Sequence, residues 1–201
     1  MTSRTATVLV TGAGRRIGKA IALDLADHGY HLAIHANASR ANAEAVAATI
    51  RSRGGVAEVF IADLCDSTAV RQLYPDVAAR MGPPDVLVNN ASVFEDDDVR
   101  TLDEALFDRH FAVHLKAPVM LAEAMSATLP ADRPGLIVNI IDQRVWRLTP
   151  RYFSYTLSKA ALWTSTQTMA QALAPRIRVN AIGPGPTLAN VHQSAAEFAV
   201  Q

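Results

Sequence analysis

Cysteine is nearly absent from this sequence: the 201 residues contain one, Cys65. A single thiol excludes a disulfide within the chain and a metal site built from clustered cysteines. Chains without disulfides are typical of reducing compartments, so we expect a cytoplasmic protein.

An excess of charge of either sign is also lacking. The chain has 19 basic and 19 acidic residues, and its pI is near 7.0. Proteins that bind nucleic acid or anionic membranes usually carry a basic excess. No apolar run approaches the length of a membrane span, and the first strand-like run begins too early for a secretory signal. We expect a small-molecule substrate, with no nucleic acid, no membrane and no metal as partners.

What the chain does have is a regular alternation of β-branched runs with alanine-rich stretches of helical period. The strand-like runs are TATVLV, YHLAIHA, VAEVFIADL, PDVLVNNA, GLIVNII and IRVNAIGPG. This alternation predicts a doubly wound parallel sheet, an α/β Rossmann fold in three layers. Without repeats or a linker, residues 1–201 are expected to form one domain. Helices are predicted over 101–129, with a break near residue 107, and over 152–174.

The stretch TGAGRRIG, residues 11–18, joins the first predicted strand to the first helix. Gly12 and Gly14 would allow positive φ and close backbone approach, and Gly18 would let the helix pack tightly on the strand. The N–H groups at the helix start would form an anion site. A plain tight turn with two solvated arginines is the alternative, because the glycine spacing is one residue longer than in the common dinucleotide motif.

No carboxylate follows the second predicted strand, where the chain reads HANASR. An acidic residue at this point binds the ribose hydroxyls of NAD, and it would repel the 2′-phosphate of NADP. Arg40 could instead join Arg15 and Arg16 around that phosphate. We therefore predict NADP(H) as the cofactor. The alternative for HANASR is a polar helix start with Ser39 as its N-cap.

Tyr155 and Lys159, in YTLSK, lie four residues apart and so share one face of a helix. A nearby ammonium stabilises phenolate and would lower the pKa of the tyrosine toward a range that suits proton transfer. The spacing occurs by chance in many helices. It gains weight here because the segment follows the fifth strand, at the carboxyl edge of the predicted sheet.

Five segments together resemble the short-chain dehydrogenase/reductase family in order and spacing: TGAGRRIG, ADL at 62–64, NNAS at 89–92, YTLSK, and GPGPT at 183–187. The resemblance covers essentially the whole chain. It implies that Tyr155 protonates the reduced atom and that Lys159 holds the nicotinamide ribose. The cofactor-binding residues that it implies, with those argued above, are Gly12, Arg15, Arg16, Ile17, Gly18, His35, Asn37, Ser39, Arg40, Asp63, Leu64, Asn90, Ala91, Ser92, Tyr155, Lys159, Pro184, Gly185 and Thr187.

Three positions depart from the general family pattern and resemble its pteridine reductase branch. Arg16 replaces a glycine, Asp142 stands where most members have a catalytic serine, and Phe94 follows the floor of the cofactor cleft. His35 and Ser39 also match that branch. The resemblance implies a substrate site of Phe94, Asp142 and Tyr155, in which Phe94 stacks on a planar pterin. Core packing of Phe94, and a helix-cap or ion-pair role for Asp142, are the alternatives.

Asp142 can orient Tyr155 and help a proton reach a ring nitrogen while NADPH supplies a hydride to the carbon of a C=N bond. We expect an NADPH-dependent reductase of a pterin-like substrate. Two alternatives stay open. One is a carbonyl reductase or alcohol dehydrogenase of the same family, acting on a ketone or 3-oxoacyl substrate. The other is an NADP-binding protein without turnover.

His114 is placed with the catalytic residues, because the family usually has an asparagine there whose helix kink holds a water of the proton relay. The histidine could keep the kink or crowd that water. Asn89 and Asn139 are expected to satisfy backbone groups between strands.

The resemblance also implies that helices over 107–129 and 152–174 pack on a neighbouring subunit, which predicts a homotetramer or homodimer. Family members continue past the GPG loop into a substrate-covering segment and a last strand, and we expect this sequence to lack both. We favour a longer chain of which this sequence is a part, because a sixth strand left as an exposed apolar edge would promote aggregation; a naturally shortened protein is the alternative.

Overall fold

Strands and helices alternate through residues 5–187, the part of the chain that the computed structural model describes. The strands are β1 (Thr7–Val10), β2 (His31–Ala36), β3 (Ala57–Ile61), β4 (Val86–Asn89), β5 (Gly135–Ile140) and β6 (Ile177–Ile182). The helices are α1 (Arg16–Asp27), α2 (Arg40–Ser52), α3 (Ser67–Met81), α4 (Glu104–Phe111), α5 (Ala117–Thr128) and α6 (Phe153–Leu173). The expectations about a signal segment and about the end of the chain concern residues outside this range.

The six strands form one parallel sheet in the order β3-β2-β1-β4-β5-β6. The chain runs outward from β1 to β3, returns to β4 beside β1, and continues outward to β6. The strand order therefore reverses between β1 and β4, and such a switch point opens a crevice at the carboxyl ends of the strands. The predicted doubly wound α/β fold is confirmed.

The side chains of β1 divide between two cores, because successive residues of a strand point to opposite faces. Val8 and Val10 pack in the cluster that lies under α1 and α2, and Leu9 packs in the cluster that includes α3 and α5. Both faces of the sheet are thus covered, which gives the three predicted layers. Within residues 5–187, no helix is both long and apolar enough to cross a membrane.

The predicted break near residue 107 is wrong. Residues 99–101 form a short 3₁₀ turn, and α4 begins only at Glu104, where Asp103 accepts a hydrogen bond from the N–H of Leu106 at 3.1 Å. The helix continues without interruption past 107 and widens into a π turn at Ala112–Lys116. Pro118 explains this position, because it has no N–H to donate to the carbonyl of His114 one turn earlier.

Candidate active site

The glycine turn lies between β1 and α1, beside the loop that follows β4. Gly12 has φ +66°, and a Cβ there would lie 2.8 Å from Cα of Ala91. A Cβ on Gly18 would collide with the carbonyl of Gly12 and with the side-chain amide of Asn90. Asn90 Nδ2 donates to the carbonyls of Thr11, at 2.9 Å, and Gly12, at 3.2 Å. These contacts hold the turn and the start of α1 closely against the loop after β4, with Ile17 half-buried in the first helical turn.

The expectation of positive φ holds for Gly12 but is wrong for Gly14. Gly14 instead lets α2 approach, since a Cβ there would lie 3.3 Å from the backbone nitrogen of Ala43. The second left-handed residue of the turn is Arg16, at φ +51°. A branched or long side chain is uncommon in this conformation, which costs on the order of 1 kcal/mol.

The side chain of His35 lies in the core and does not face the crevice, so its predicted cofactor contact stays a prediction that only the backbone could make. The side chain is buried, with Nδ1 accepting from the N–H of Gly12 at 3.1 Å and Nε2 lying 3.0 Å from the carbonyl of Ala62. Burial lowers the pKa of His35 to about 4. The imidazole is therefore neutral and supports the glycine turn from behind.

The three arginines lie at the carboxyl ends of two neighbouring strands. Arg15 and Arg16 are exposed in the turn after β1, and Arg40 begins α2 just after β2, with Glu44 at 3.7 Å. Asn37 is exposed in the same loop. Ser39 takes the N-cap position of α2 but makes no side-chain hydrogen bond to the helix start. This group offers cations and polar side chains to an anion at the crevice.

Two loops line the crevice further along. After β3, Asp63 is exposed and accepts from the N–H of Cys65 at 2.9 Å, whereas the side chain of Leu64 is buried in the core. The predicted Leu64 contact is thus limited to its backbone. After β6, the carbonyl of Pro184 accepts from the N–H of Gln143 at 3.2 Å. Gly185 and Thr187 follow on the exposed side of this loop, where the Thr187 hydroxyl donates to the Gly185 carbonyl at 2.9 Å.

The structure brings together Tyr155, Lys159 and Asp142. The Tyr155 hydroxyl donates to Oδ2 of Asp142 at 2.8 Å. The other carboxylate oxygen, Oδ1, accepts from the N–H of Arg144 at 2.9 Å and caps the 3₁₀ turn at Gln143–Val145. Lys159 is buried, and its ammonium donates to the carbonyl of Ile140 at 2.8 Å. Asp142 thus combines the cap role with the contact to Tyr155.

The pKa of Tyr155 moves opposite to our expectation. Burial, followed by the charge and hydrogen bond of Asp142, raises it well above its usual value of 10.0. Burial also lowers the pKa of Lys159 to about 8, against the opposing effect of Asp142. Our expectation considered only the Lys159 ammonium and not the Asp142 carboxylate, which contacts the Tyr155 hydroxyl. The Tyr155 hydroxyl is therefore protonated at neutral pH, and burial and Asp142 both oppose its ionisation.

Phe94 is half-buried at the edge of this site, and core packing does not describe it. Its ring meets the ring of Tyr155 edge-on, with centroids 4.8 Å apart, and stacks on Tyr152 at 4.4 Å. The Arg144 guanidinium lies 4.7 Å from the centroid of the Tyr152 ring. The sequence analysis missed Tyr152 and Arg144. Helical spacing gave no signal for Tyr152, because it is the left-handed N-cap residue before α6, at φ +58°.

His114 lies in the π turn and does not reach the Tyr155 hydroxyl. Its Nε2 is 3.0 Å from the Ser92 hydroxyl and accepts from the N–H of Val93 at 3.1 Å. The imidazole of His114 thus supports the loop after β4 and α6, and its place among the catalytic groups stays a prediction. The helix widens into the π turn at the position where the kink was expected.

His110 was missed, although its i, i+4 spacing to His114 was a signal. The two imidazoles stack with centroids 5.5 Å apart. His110 is buried, and its Nδ1 lies 2.7 Å from the Ser154 hydroxyl.

Asn89 and Asn139 pair with each other rather than with the backbone. Nδ2 of Asn89 donates to Oδ1 of Asn139 at 2.8 Å, and Nδ2 of Asn139 donates to the Thr166 hydroxyl at 2.9 Å. Their structural role stands, but the expected backbone partners were wrong. The pair ties β4 and β5 to α6 beneath the site.

Comparison with known proteins identifies the family of this chain. The short chain dehydrogenase family model matches residues 6–199. The 3-oxoacyl-[acyl-carrier-protein] reductase FabG of Staphylococcus epidermidis is 33% identical over 178 residues, which cover 88% of this chain and 73% of that protein.

Solved structures are similar as well. FolM alternative dihydrofolate reductase 1 from Brucella canis, complexed with NADP, superposes with a TM-score of 0.94 at 59% identity, covering 98% of this chain and 78% of that one. The promiscuous reductase LugOII, described as catalysing keto-reduction at C1 during lugdunomycin biosynthesis, has a TM-score of 0.83 at 34% identity, covering 92% and 79%.

Proposed function

The chain belongs to the short chain dehydrogenase family, and we propose that within it the protein is an NADPH-dependent reductase of a pterin-like C=N bond. The observation that carries this proposal is the 2.8 Å hydrogen bond from the Tyr155 hydroxyl to Asp142, at the edge of an aromatic wall. The similarity to FolM alternative dihydrofolate reductase supports the substrate class.

The residues of the crevice fit a dinucleotide. Gly12 and Gly18 let the β1 turn, the start of α1 and the loop after β4 pack closely together, because a Cβ on either glycine would collide with backbone or with the Asn90 amide. The first turn of α1 offers backbone N–H groups to a diphosphate, and Arg15, Arg16 and Arg40 supply positive charge for a 2′-phosphate. Asn37, Ser39, Asp63 and the 90–92 and 184–187 segments would line the rest of the cofactor. When bound, NADPH supplies the hydride.

Tyr155 and Asp142 would handle the proton. The raised pKa of Tyr155 keeps its hydroxyl protonated in the neutral range. Addition of a hydride to the carbon of C=N leaves electron density on nitrogen, which takes the proton from the Tyr155–Asp142 pair. Asp142 holds the hydroxyl in place through Oδ2, and Lys159 provides a fixed positive charge beneath it. Asp142 is half-buried, and a proton from solvent would return to the pair from its side.

Phe94 would bind the flat substrate. Offset stacking suits two planar rings, and the ring face of Phe94 is where Tyr152 stacks now. A pterin would share or take that face, and the T-shaped contact to Tyr155 sets the distance between the bound ring and the proton donor.

A ketone or 3-oxoacyl substrate is the second candidate. It is supported by the FabG relative and by LugOII, and Tyr155 with Lys159 would serve it equally well. The alternative without turnover has no such support, since proton donor, carboxylate and lysine all lie together.

The substitution Asp142→Ser separates the two candidates. Serine can still cap the 3₁₀ turn through its hydroxyl, so the fold and NADPH binding should be kept. We expect kcat/KM for dihydrobiopterin or dihydrofolate to fall about hundredfold or more, and kcat/KM for ketones to fall far less. The reverse order of losses would favour the carbonyl candidate.

A further inference from the structure

The segment that carries Phe94 is attached to the start of α6 at its far end. Asp96 accepts from Nε of Arg151 at 2.9 Å and from the N–H of Tyr152 at 3.2 Å. The buried Asp97 accepts from the N–H of Ser154 at 3.1 Å. Phe94 thus lies between this attachment and a second one, which involves Val93.

The second attachment is His114, whose protonation state follows from its partners. A backbone N–H can only donate, so Nε2, which accepts from Val93 at 3.1 Å, carries no proton. In the neutral ring the proton then lies on Nδ1, which is 2.8 Å from the Ser158 hydroxyl. Ser158 in turn donates to the carbonyl of Tyr155 at 2.7 Å. Burial holds the pKa of His114 well below its usual value, in agreement with a neutral ring.

We propose that His114 is a positioning residue that ties the Ser92–Phe94 segment to the turn of α6 that carries Tyr155, and so sets the gap between aromatic wall and proton donor. This inference rests on the proposed function, because it assigns His114 to the placement of a flat substrate. The imidazole acts only through its hydrogen bonds to Val93 and Ser158, and it fixes the distance between these two residues.

Two substitutions separate the two hydrogen bonds of the His114 ring, one to Val93 and one to Ser158. In His114→Asn, the amide nitrogen can still donate to Ser158, but nothing reaches the N–H of Val93. In His114→Gln, the longer side chain can accept from Val93 but loses the geometry toward Ser158. We expect KM for dihydrofolate or dihydrobiopterin to rise about tenfold in His114→Asn, the effect of one buried hydrogen bond, with kcat nearly kept. We expect His114→Gln to keep KM and to lower kcat.

Two measurements that need no turnover test whether His114 holds the Val93 amide. In ¹⁵N-labelled protein the wild-type His114 ring should show the Nδ1–H tautomer, a measurement that needs no variant. The Val93 amide should exchange with solvent about tenfold faster or more in His114→Asn than in the wild type. In His114→Gln it should stay protected.

His110→Asn is the matched control. This histidine is equally buried, lies one turn earlier and contacts a serine of α6 through Nδ1. Among the described residues, its Nε2 has no hydrogen-bond partner. The same loss of volume should therefore leave both the Val93 exchange rate and KM close to those of the wild type.

Unchanged Val93 exchange in His114→Asn, an Nε2–H tautomer in the wild type, or an equal rise of KM in His110→Asn would each overturn the proposal. A wild-type enzyme that reduces only carbonyl compounds would overturn the proposed function instead. The Val93 exchange rates would then still decide whether the tie exists.

Discussion

At the scale of single residues, the chemistry depends on which group holds the proton. Tyr155 is buried and donates to a carboxylate, and both effects raise its pKa. Lys159 alone would lower that pKa, which is what the sequence motif suggests. Burial is the largest cause of the raised pKa, and the charge and hydrogen bond of Asp142 act in the same direction. The ammonium lies 5.8 Å from the centre of the Tyr155 ring.

Removing the Tyr155 hydroxyl should stop proton donation and leave the site shape unchanged. We expect Tyr155→Phe to lower kcat by about 10² to 10⁴, with NADPH affinity nearly unchanged when measured by cofactor fluorescence. Tyr30→Phe is the control, since Tyr30 precedes β2 at the opposite edge of the sheet. Residual activity near the wild-type level in Tyr155→Phe would assign the proton to another group.

Arg16 combines a positive charge with a left-handed backbone, φ +51°. Glycine accepts this conformation without strain, so Arg16→Gly should leave stability equal or higher by up to about 1 kcal/mol. Loss of the charge should weaken NADPH binding about tenfold or more and leave NADH binding nearly unchanged. Titration of both cofactors, with Lys19→Ala as a charge-matched control one turn away, measures this preference. Equal losses for both cofactors would contradict the role of the arginine.

At the scale of elements, the turn between β1 and α1 and the π turn shape the site. The alternation of apolar runs was enough to predict all six strands and their helices, because strand and helix periods are local properties. The π turn and the burial of His35 were not predictable in the same way. The π turn follows from Pro118 in a helix that also packs on α6, and His35 is buried only because Gly12 and Ala62 come from other elements.

The packing of α1 on the turn leaves no room for a side chain at Gly18. We expect Gly18→Ala to lower the free energy of unfolding by about 1–3 kcal/mol and to weaken NADPH binding, because its Cβ would push on the Gly12 carbonyl and Asn90. Urea unfolding and cofactor titration measure the two effects.

Gly29→Ala provides the comparison for this substitution. Gly29 follows α1 at φ +87° with no atom near its Cβ position, so alanine there should cost stability through backbone strain alone. NADPH affinity should stay the same. Equal loss of affinity in both variants would mean that the binding effect only reflects stability.

At the scale of the whole molecule, three buried histidines couple folding to pH. Burial lowers the pKa of His35, His110 and His114 below the usual 6.5. The folded state therefore binds fewer protons than the unfolded chain in mildly acidic solution, so acid favours unfolding.

For His35, the pKa of about 4 in the folded state sets the lower end of the pH range over which stability is lost. Its stabilising contribution is complete above pH 6.5 and is lost as the pH falls toward 4, by about 3 kcal/mol in total. Urea midpoints between pH 7 and pH 4.5 should fall in the wild type and fall less steeply in His35→Asn. Identical slopes in the two proteins would contradict a neutral His35.

Assembly stays a prediction at this scale. The homodimer or homotetramer expected from the family resemblance would cover apolar side chains that α5 and α6 expose, Val119 and Leu157 among them.

The most direct measurement of the central claim is NADPH oxidation by the wild-type protein with dihydrobiopterin or dihydrofolate, beside a panel of ketones and acetoacetyl thioesters. The arrangement of Asp142, Tyr155 and Phe94 predicts that kcat/KM is much higher for the pterin substrates than for any carbonyl compound. Turnover of the carbonyl panel alone would contradict it and would make this chain a carbonyl reductase that carries an aspartate beside its tyrosine.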